Sequence, residues 1–147
     1  MKASEIISRL PYEDPFLFVE AIRKIDETGV EGSFTFRENL PFYRGHFREH
    51  PVTPGVLLTE CCAQIGLACL ALFLGDLEGR RHGTFALSSS EMEFYIPVYP
   101  GEKVTVVSRK EYFRFNKLKC EVRMYNNSRQ MVCKGVIAGM LTPERHG

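Results

Sequence analysis

The sequence predicts an α+β fold: an antiparallel sheet wrapped around a long central apolar helix. Three observations point to it. The stretch Val56–Leu74 is apolar on nearly every side, and such a helix is normally enclosed by other structure. From Phe85 onward the pattern is that of strands. It is plainest where Leu118, Cys120, Val122 and Met124 alternate with Lys119, Glu121 and Arg123, a period of two. Two further strand-like runs precede the helix. Two strands, one helix and then four or so strands can cover the helix all round while each strand keeps one wet face. The pattern alone leaves the topology open.

The elements follow in order. Ala3–Arg9 is predicted as a short helix ending before Pro11. A loop with Pro11 and Pro15 leads into a predicted strand, Phe16–Ile25, rich in aromatic and branched residues. Asp26-Glu27-Thr28-Gly29 turns the chain into a second strand, Val30–Phe36, weakened by Gly32. Residues 37–54 hold Pro41, Gly45, Pro51 and Pro54 and are expected to be irregular; long loops in compact domains are often functional. Pro54 suits the first turn of the central helix, and Gly75-Asp76 can end it. Phe85–Tyr95, Lys103–Tyr112 and Gln130–Leu141 are strands, with turns at Val98–Glu102 and Asn126–Ser128. The carboxyl end from Thr142 is expected to fray.

Composition narrows the function. At 147 residues the chain is expected to be one domain, 1–147, with its own core. A net charge of +1 argues against a nucleic-acid binder. The local basic clusters, Arg80-Arg81-His82 and Arg109-Lys110 with Arg114, Lys117 and Lys119, read as solvated faces or as a contact for an acidic partner. Five cysteines with no CxxC spacing read as small buried hydrophobes in a reducing compartment, and their spacing matches no usual zinc site. No sustained apolar run follows Lys2, so no secretory signal is expected. Within the central helix, the longest stretch free of strongly polar residues is Ile65–Leu74, half of the roughly 20 residues a membrane span needs. A cytoplasmic protein is expected.

The most informative stretch runs from His46 to Glu60, fourteen positions apart. It supplies a base, a proline-constrained turn, a helix start and a carboxyl acid in that order. Gly45-His46-Phe47, then His50-Pro51-Val52, then Pro54-Gly55-Val56-Leu57, then Glu60 and Gln64 resemble the 3-hydroxyacyl-acyl-carrier-protein dehydratases of bacterial fatty acid synthesis. Leu10-Pro11 with Pro15-Phe16-Leu17 is similar to that family's leading loop and first strand. Phe94–Glu102 is similar to its strand–turn beyond the helix. The resemblance covers most of the chain and implies the hot-dog fold. It also implies a homodimer, or a higher homo-oligomer, with two composite sites, the His of one subunit meeting the acid of the other. The implied substrate is an acyl chain linked through phosphopantetheine to an acyl carrier protein.

Dehydrating a 3-hydroxyacyl thioester needs a base for the proton beside the carbonyl, an acid for the departing hydroxyl and a donor for the carbonyl oxygen. No metal or redox cofactor is required. His46 fits the base, being mostly neutral at pH 7 with an ordinary pKa of about 6.5. Glu60 fits the acid if burial keeps it protonated. The Gly55 N–H, at a helix start, fits the oxygen donor and lets substrate approach the backbone. Gln64, four residues beyond Glu60 on the same helix face, is placed to orient the carboxyl. His50 reads as loop packing. Phe16, Phe18, Phe42, Phe47, Phe85 and Phe94 read as core or as acyl-channel lining.

The chain departs from the family at four places. Tyr12 stands where a His usually follows Leu-Pro, and Arg48-Glu49 where Pro-Gly is usual. Ile96 stands where an Arg precedes Pro, and Thr53 replaces a larger apolar residue. None removes His46, Gly55 or Glu60. They fit a specialised polyene or pigment pathway as well as housekeeping lipid synthesis. A hot-dog acyl thioesterase, a double-bond isomerase and a non-catalytic carrier-binding protein are the competing readings.

Overall fold

Alternating apolar side chains build the sheet, and the order in which the strands meet decides what it encloses. The computed structural model describes residues 1–45, 50–79 and 84–142. Six strands form one antiparallel sheet in the order β1-β2-β4-β5-β6-β3. They are β1 (Ala21–Asp26), β2 (Gly29–Thr35), β3 (Thr84–Phe94), β4 (Lys103–Arg114), β5 (Lys117–Asn126) and β6 (Met131–Thr142). A short helix, α1 (Ala3–Arg9), precedes them as predicted. The central helix, Gly55–Leu77, is made of α2 (Gly55–Ala63), a π-turn (Gln64–Ala68) and α3 (Cys69–Leu77).

One face of the sheet covers the helix. Val30 and Phe34 on β2, Val104 and Val106 on β4, and Leu118, Cys120, Val122 and Met124 on β5 are all buried. The helix offers them an unbroken buried run from Cys61 to Ala71. Within it Ile65, Leu67 and Leu70 are fully buried, each stabilising the fold by about 1.5–3 kcal/mol. Length and composition would let this helix cross a membrane, but most of it lies inside the fold.

At Gly66 the helix meets the sheet backbone-first. A Cβ there would lie 2.9 Å from Val122 Cγ1 and 3.1 Å from Ser108 Cβ, so only glycine permits this approach.

Three elements differ from the sequence expectation. The first strand begins at Ala21 instead of Phe16. The backbone of Phe16 and Phe18 is bonded to the Gln64 side chain, which takes groups that a strand ladder would have used. Phe18 instead packs edge-on against Phe34 and stacks on Phe36. The helix runs through Gly75-Asp76 to Leu77 and ends at Gly79, whose φ of +74° supplies the left-handed residue. β4 extends past Tyr112 to a tight turn at Phe115-Asn116, both with positive φ.

β3 departs in a fourth way. It has no wet-face, dry-face alternation: Ala86 through Glu91 are all exposed. All five cysteines are free and buried, as expected of small hydrophobes.

Candidate active site

The proline-rich approach fixes where the central helix starts. Pro54 caps it, and its carbonyl accepts from Leu57 N–H at 2.9 Å and Leu58 N–H at 3.2 Å. The first N–H groups of any α-helix lack partners in the helix, and here these belong to Gly55 and Val56. Upstream, Thr53 N–H donates to Val98 carbonyl at 2.8 Å, tying the approach to the turn before β4. The buried Thr53 hydroxyl is satisfied by Tyr43 Oη at 2.5 Å. That pairing gives a physical reason for a polar residue where the family has an apolar one. A shallow cavity of about 270 Å³ opens beside the helix start, lined by Thr53, Gly55, Leu58, Phe94, Ile96 and Pro97. The Gly55 Cα faces the Phe94 ring across it: a Cβ there would just touch the ring at 3.4 Å.

Glu60 and Gln64 face the same way, as their four-residue spacing requires. Gln64 is fully buried and uses both ends of its amide. Oε1 accepts from Phe18 N–H at 2.7 Å. Nε2 donates to Phe16 carbonyl at 3.0 Å and to Glu60 Oε2 at 3.1 Å. Cys61 Sγ adds a contact to Phe18 carbonyl at 3.5 Å. The leading segment is thus strapped across the helix at the acid. Burial raises the Glu60 carboxyl above the ordinary carboxylate range, and the Gln64 bond pulls partly against it. The arrangement can hold a proton on Glu60 and aim it.

Tyr12 lies at this same place. Its ring contacts Phe16 at 6.3 Å between centroids. Burial, then the nearby Glu60 charge, pushes its phenol pKa up. Sequence reasoning marked Tyr12 as a departure without placing it beside the acid. It missed Phe16 and Phe18 as anchors because their contribution is through backbone groups, which leave no side-chain signature.

The remaining expected residues divide. His46 and Phe47 lie outside the described residues, as do Arg48-Glu49 and Arg80-Arg81-His82. His50 is exposed, so it is not packed into the loop as expected. Phe18 is core; Phe16 and Phe94 are about half exposed. Burial pushes the Cys69 thiol up to about 12 and Cys120 to about 11, which suits hydrophobes and not nucleophiles. Among the described residues no three His, Cys, Asp or Glu side chains are grouped to hold a metal ion. Arg114 and Lys117 flank the β4–β5 turn, at which Phe115 is almost fully exposed.

Comparison with known proteins bears on the family and the fold. The model of the FabA-like domain matches residues 10–136. The 3-hydroxyacyl-[acyl-carrier-protein] dehydratase FabZ of Roseiflexus castenholzii is 31% identical, with 99% of each chain covered. The FabZ of Thermus thermophilus is 35% identical over 84% of this chain and 85% of its own. Among solved structures, the dehydratase heterocomplex ApeI:P from Xenorhabdus doucetiae superposes with a TM-score of 0.80 at 13% identity. It covers 98% of this chain and 93% of that one. A hypothetical thioesterase with coenzyme A from Streptococcus pneumoniae gives 0.64 at 15% identity, covering 84% and 86%. At these identities the structural matches speak for the fold alone, which is the hot-dog fold.

Proposed function

The chain belongs to the FabA-like family of 3-hydroxyacyl-[acyl-carrier-protein] dehydratases, and from that premise we propose that it converts 3-hydroxyacyl thioesters on an acyl carrier protein to trans-2-enoyl thioesters. The observation that carries the reading is Glu60: a half-buried carboxyl pushed toward its protonated form and held by Gln64. That is what an acid for a departing hydroxyl requires.

In the proposed reaction His46 takes the proton from the carbon beside the thioester carbonyl. The carbonyl oxygen gains negative charge and is held by the Gly55 N–H at the helix start. The carbon–oxygen bond at the third carbon then breaks as Glu60 delivers its proton. Water leaves, and the pair from the broken C–H bond becomes the new double bond. Glu60 ends as a carboxylate and His46 as a cation; solvent returns both to their starting state. Gln64 orients the acid throughout.

The proposed unit is a homodimer with composite sites, His46 of one copy reaching Glu60 of the other. β3 supports it: an edge strand of eleven residues, exposed on both faces along its middle, with no strand beside it on its outer side among the described residues. Two copies related by a two-fold axis would pair β3 with β3 antiparallel and join both sheets. The whole chain is read as one domain acting in the cytoplasm. The departures at Tyr12, Arg48-Glu49, Thr53 and Ile96 fit a specialised acyl chain at least as well as an ordinary one, and housekeeping-level turnover on ordinary saturated chains would count against the specialised reading.

The test follows interconversion of a 3-hydroxyacyl thioester and its enoyl product on a carrier protein. Wild type is compared with His46→Ala and Glu60→Gln. Loss of turnover in both variants, with assembly intact, supports the reading. Free thiol release without enoyl product moves it to a thioesterase.

A further inference from the structure

Ser108 interrupts the apolar inner row of β4. Val104 and Val106 point at the helix, and by the period of two the next inward position is Ser108, 3% exposed. A buried hydroxyl costs stability unless it is bonded. This one donates to the Gly66 carbonyl at 2.9 Å, and it also faces the buried Cys120 thiol.

Gly66 is the middle residue of the π-turn Gln64–Ala68. There the Cys69 N–H reaches back five residues to the Gln64 carbonyl. Such a turn adds a residue to the helix and rotates everything before it relative to everything after it. Single π-turns are rare inside α-helices and recur at functional sites. This one opens on Gln64, whose amide holds both Glu60 and the leading segment. The turn therefore sets the direction in which Gln64 and Glu60 point, and the Ser108 bond fixes the turn to the sheet. The close seat of Gly66 on Val122 and Ser108 leaves little room for the turn to shift elsewhere.

We infer that Ser108 is a positioning residue for the Glu60 carboxyl, acting through the π-turn of the central helix. Its kinetic consequence rests on Glu60 serving as the acid; its structural consequence does not.

The experiment uses full-length protein with ¹³C-labelled glutamate. The Glu60 carboxyl is titrated by NMR without substrate in wild type, Ser108→Ala and Ser108→Cys, the last keeping a weaker donor. A loosened turn weakens the Gln64 bond, which favours the ionised carboxyl, so Glu60 is expected to titrate at higher pH in Ser108→Ala. Ser108→Cys is expected to fall between. In the turnover assay, kcat falls about tenfold while KM holds, and the alkaline limb of the pH profile moves up with the titration. Unchanged Glu60 titration and an unchanged limb in Ser108→Ala, even with a lower Tm, overturn the inference. Should Ser108→Ala fail to fold, the Ser108→Cys titration decides alone: a shift supports the inference and none overturns it. A wild type that titrates Glu60 yet dehydrates nothing would sink the enzymatic reading and leave the NMR result standing.

Discussion

The two edges of the sheet are built differently. β1 is six residues long, breaks register between Ile22 and Lys24, and carries Arg23, Lys24 and Asp26. Arg23 is paired with Glu31 on the neighbouring strand. Short length, a bulge and charge are the usual means of keeping an edge from pairing with another chain. β3 is eleven residues long, and Leu87 and Phe94 on it are about half exposed. It has a register break of its own between Leu87 and Ser89, but its described charges are only Glu91 and Glu93. One edge is closed to partners and the other is left open. The open edge is also the one near the candidate site, since Phe94 at the end of β3 sits over Gly55.

Breaking the open edge should have the largest effect. Leu87→Lys adds charge where the side chain already meets solvent in one protomer, so folding is preserved. The mass by light scattering should fall to that of a single chain. Turnover should drop by about a hundredfold or more, because the paired groups no longer meet. The next substitution separates the site from the edge. Gln64→Leu leaves β3 untouched but strands the Phe18 N–H and removes the donor to Glu60. It should cost about 1–3 kcal/mol in urea denaturation and lower turnover while the dimer persists.

A smaller effect comes from proton linkage. Burial raises the folded-state pKa of Glu60, so the folded chain keeps a proton that the unfolded chain releases. Stability from this group is full below the unfolded value of about 4.3 and declines as pH rises through the folded value. Glu60→Gln carries no such penalty. Its Tm relative to wild type should rise across that window and level off above it. The smallest expected effect is the control on the closed edge: Ala21→Lys on β1 should leave mass and turnover at wild-type values.

The sequence made the fold legible where periodicity is strong. The alternation from Leu118 to Met124 became β5, and the all-round apolar run became the central helix. It misjudged Phe16–Glu20 because strand propensity says nothing about a glutamine 46 residues away from Phe18 that takes its backbone N–H. The π-turn was illegible for a similar reason. Its stabilising partner, Ser108, lies 42 residues beyond Gly66 on a strand whose order in the sheet local patterns do not reveal. Glu60 and Gln64 were legible because i, i+4 spacing on a helix is a local property. The openness of β3 was not, since its residues have the composition of an ordinary strand and only the sheet order makes it an edge.

The central claim is a dehydratase site shared between two copies, and subunit mixing tests it most directly. His46→Ala and Glu60→Gln proteins, each expected to be inactive alone, are unfolded together and refolded as mixed dimers. In a mixed dimer with composite sites, one site carries both substitutions and the other carries neither. Recovered conversion of a 3-hydroxyacyl thioester to its enoyl product is the predicted result. Mixed dimers that form and remain as inactive as either parent would contradict the shared site.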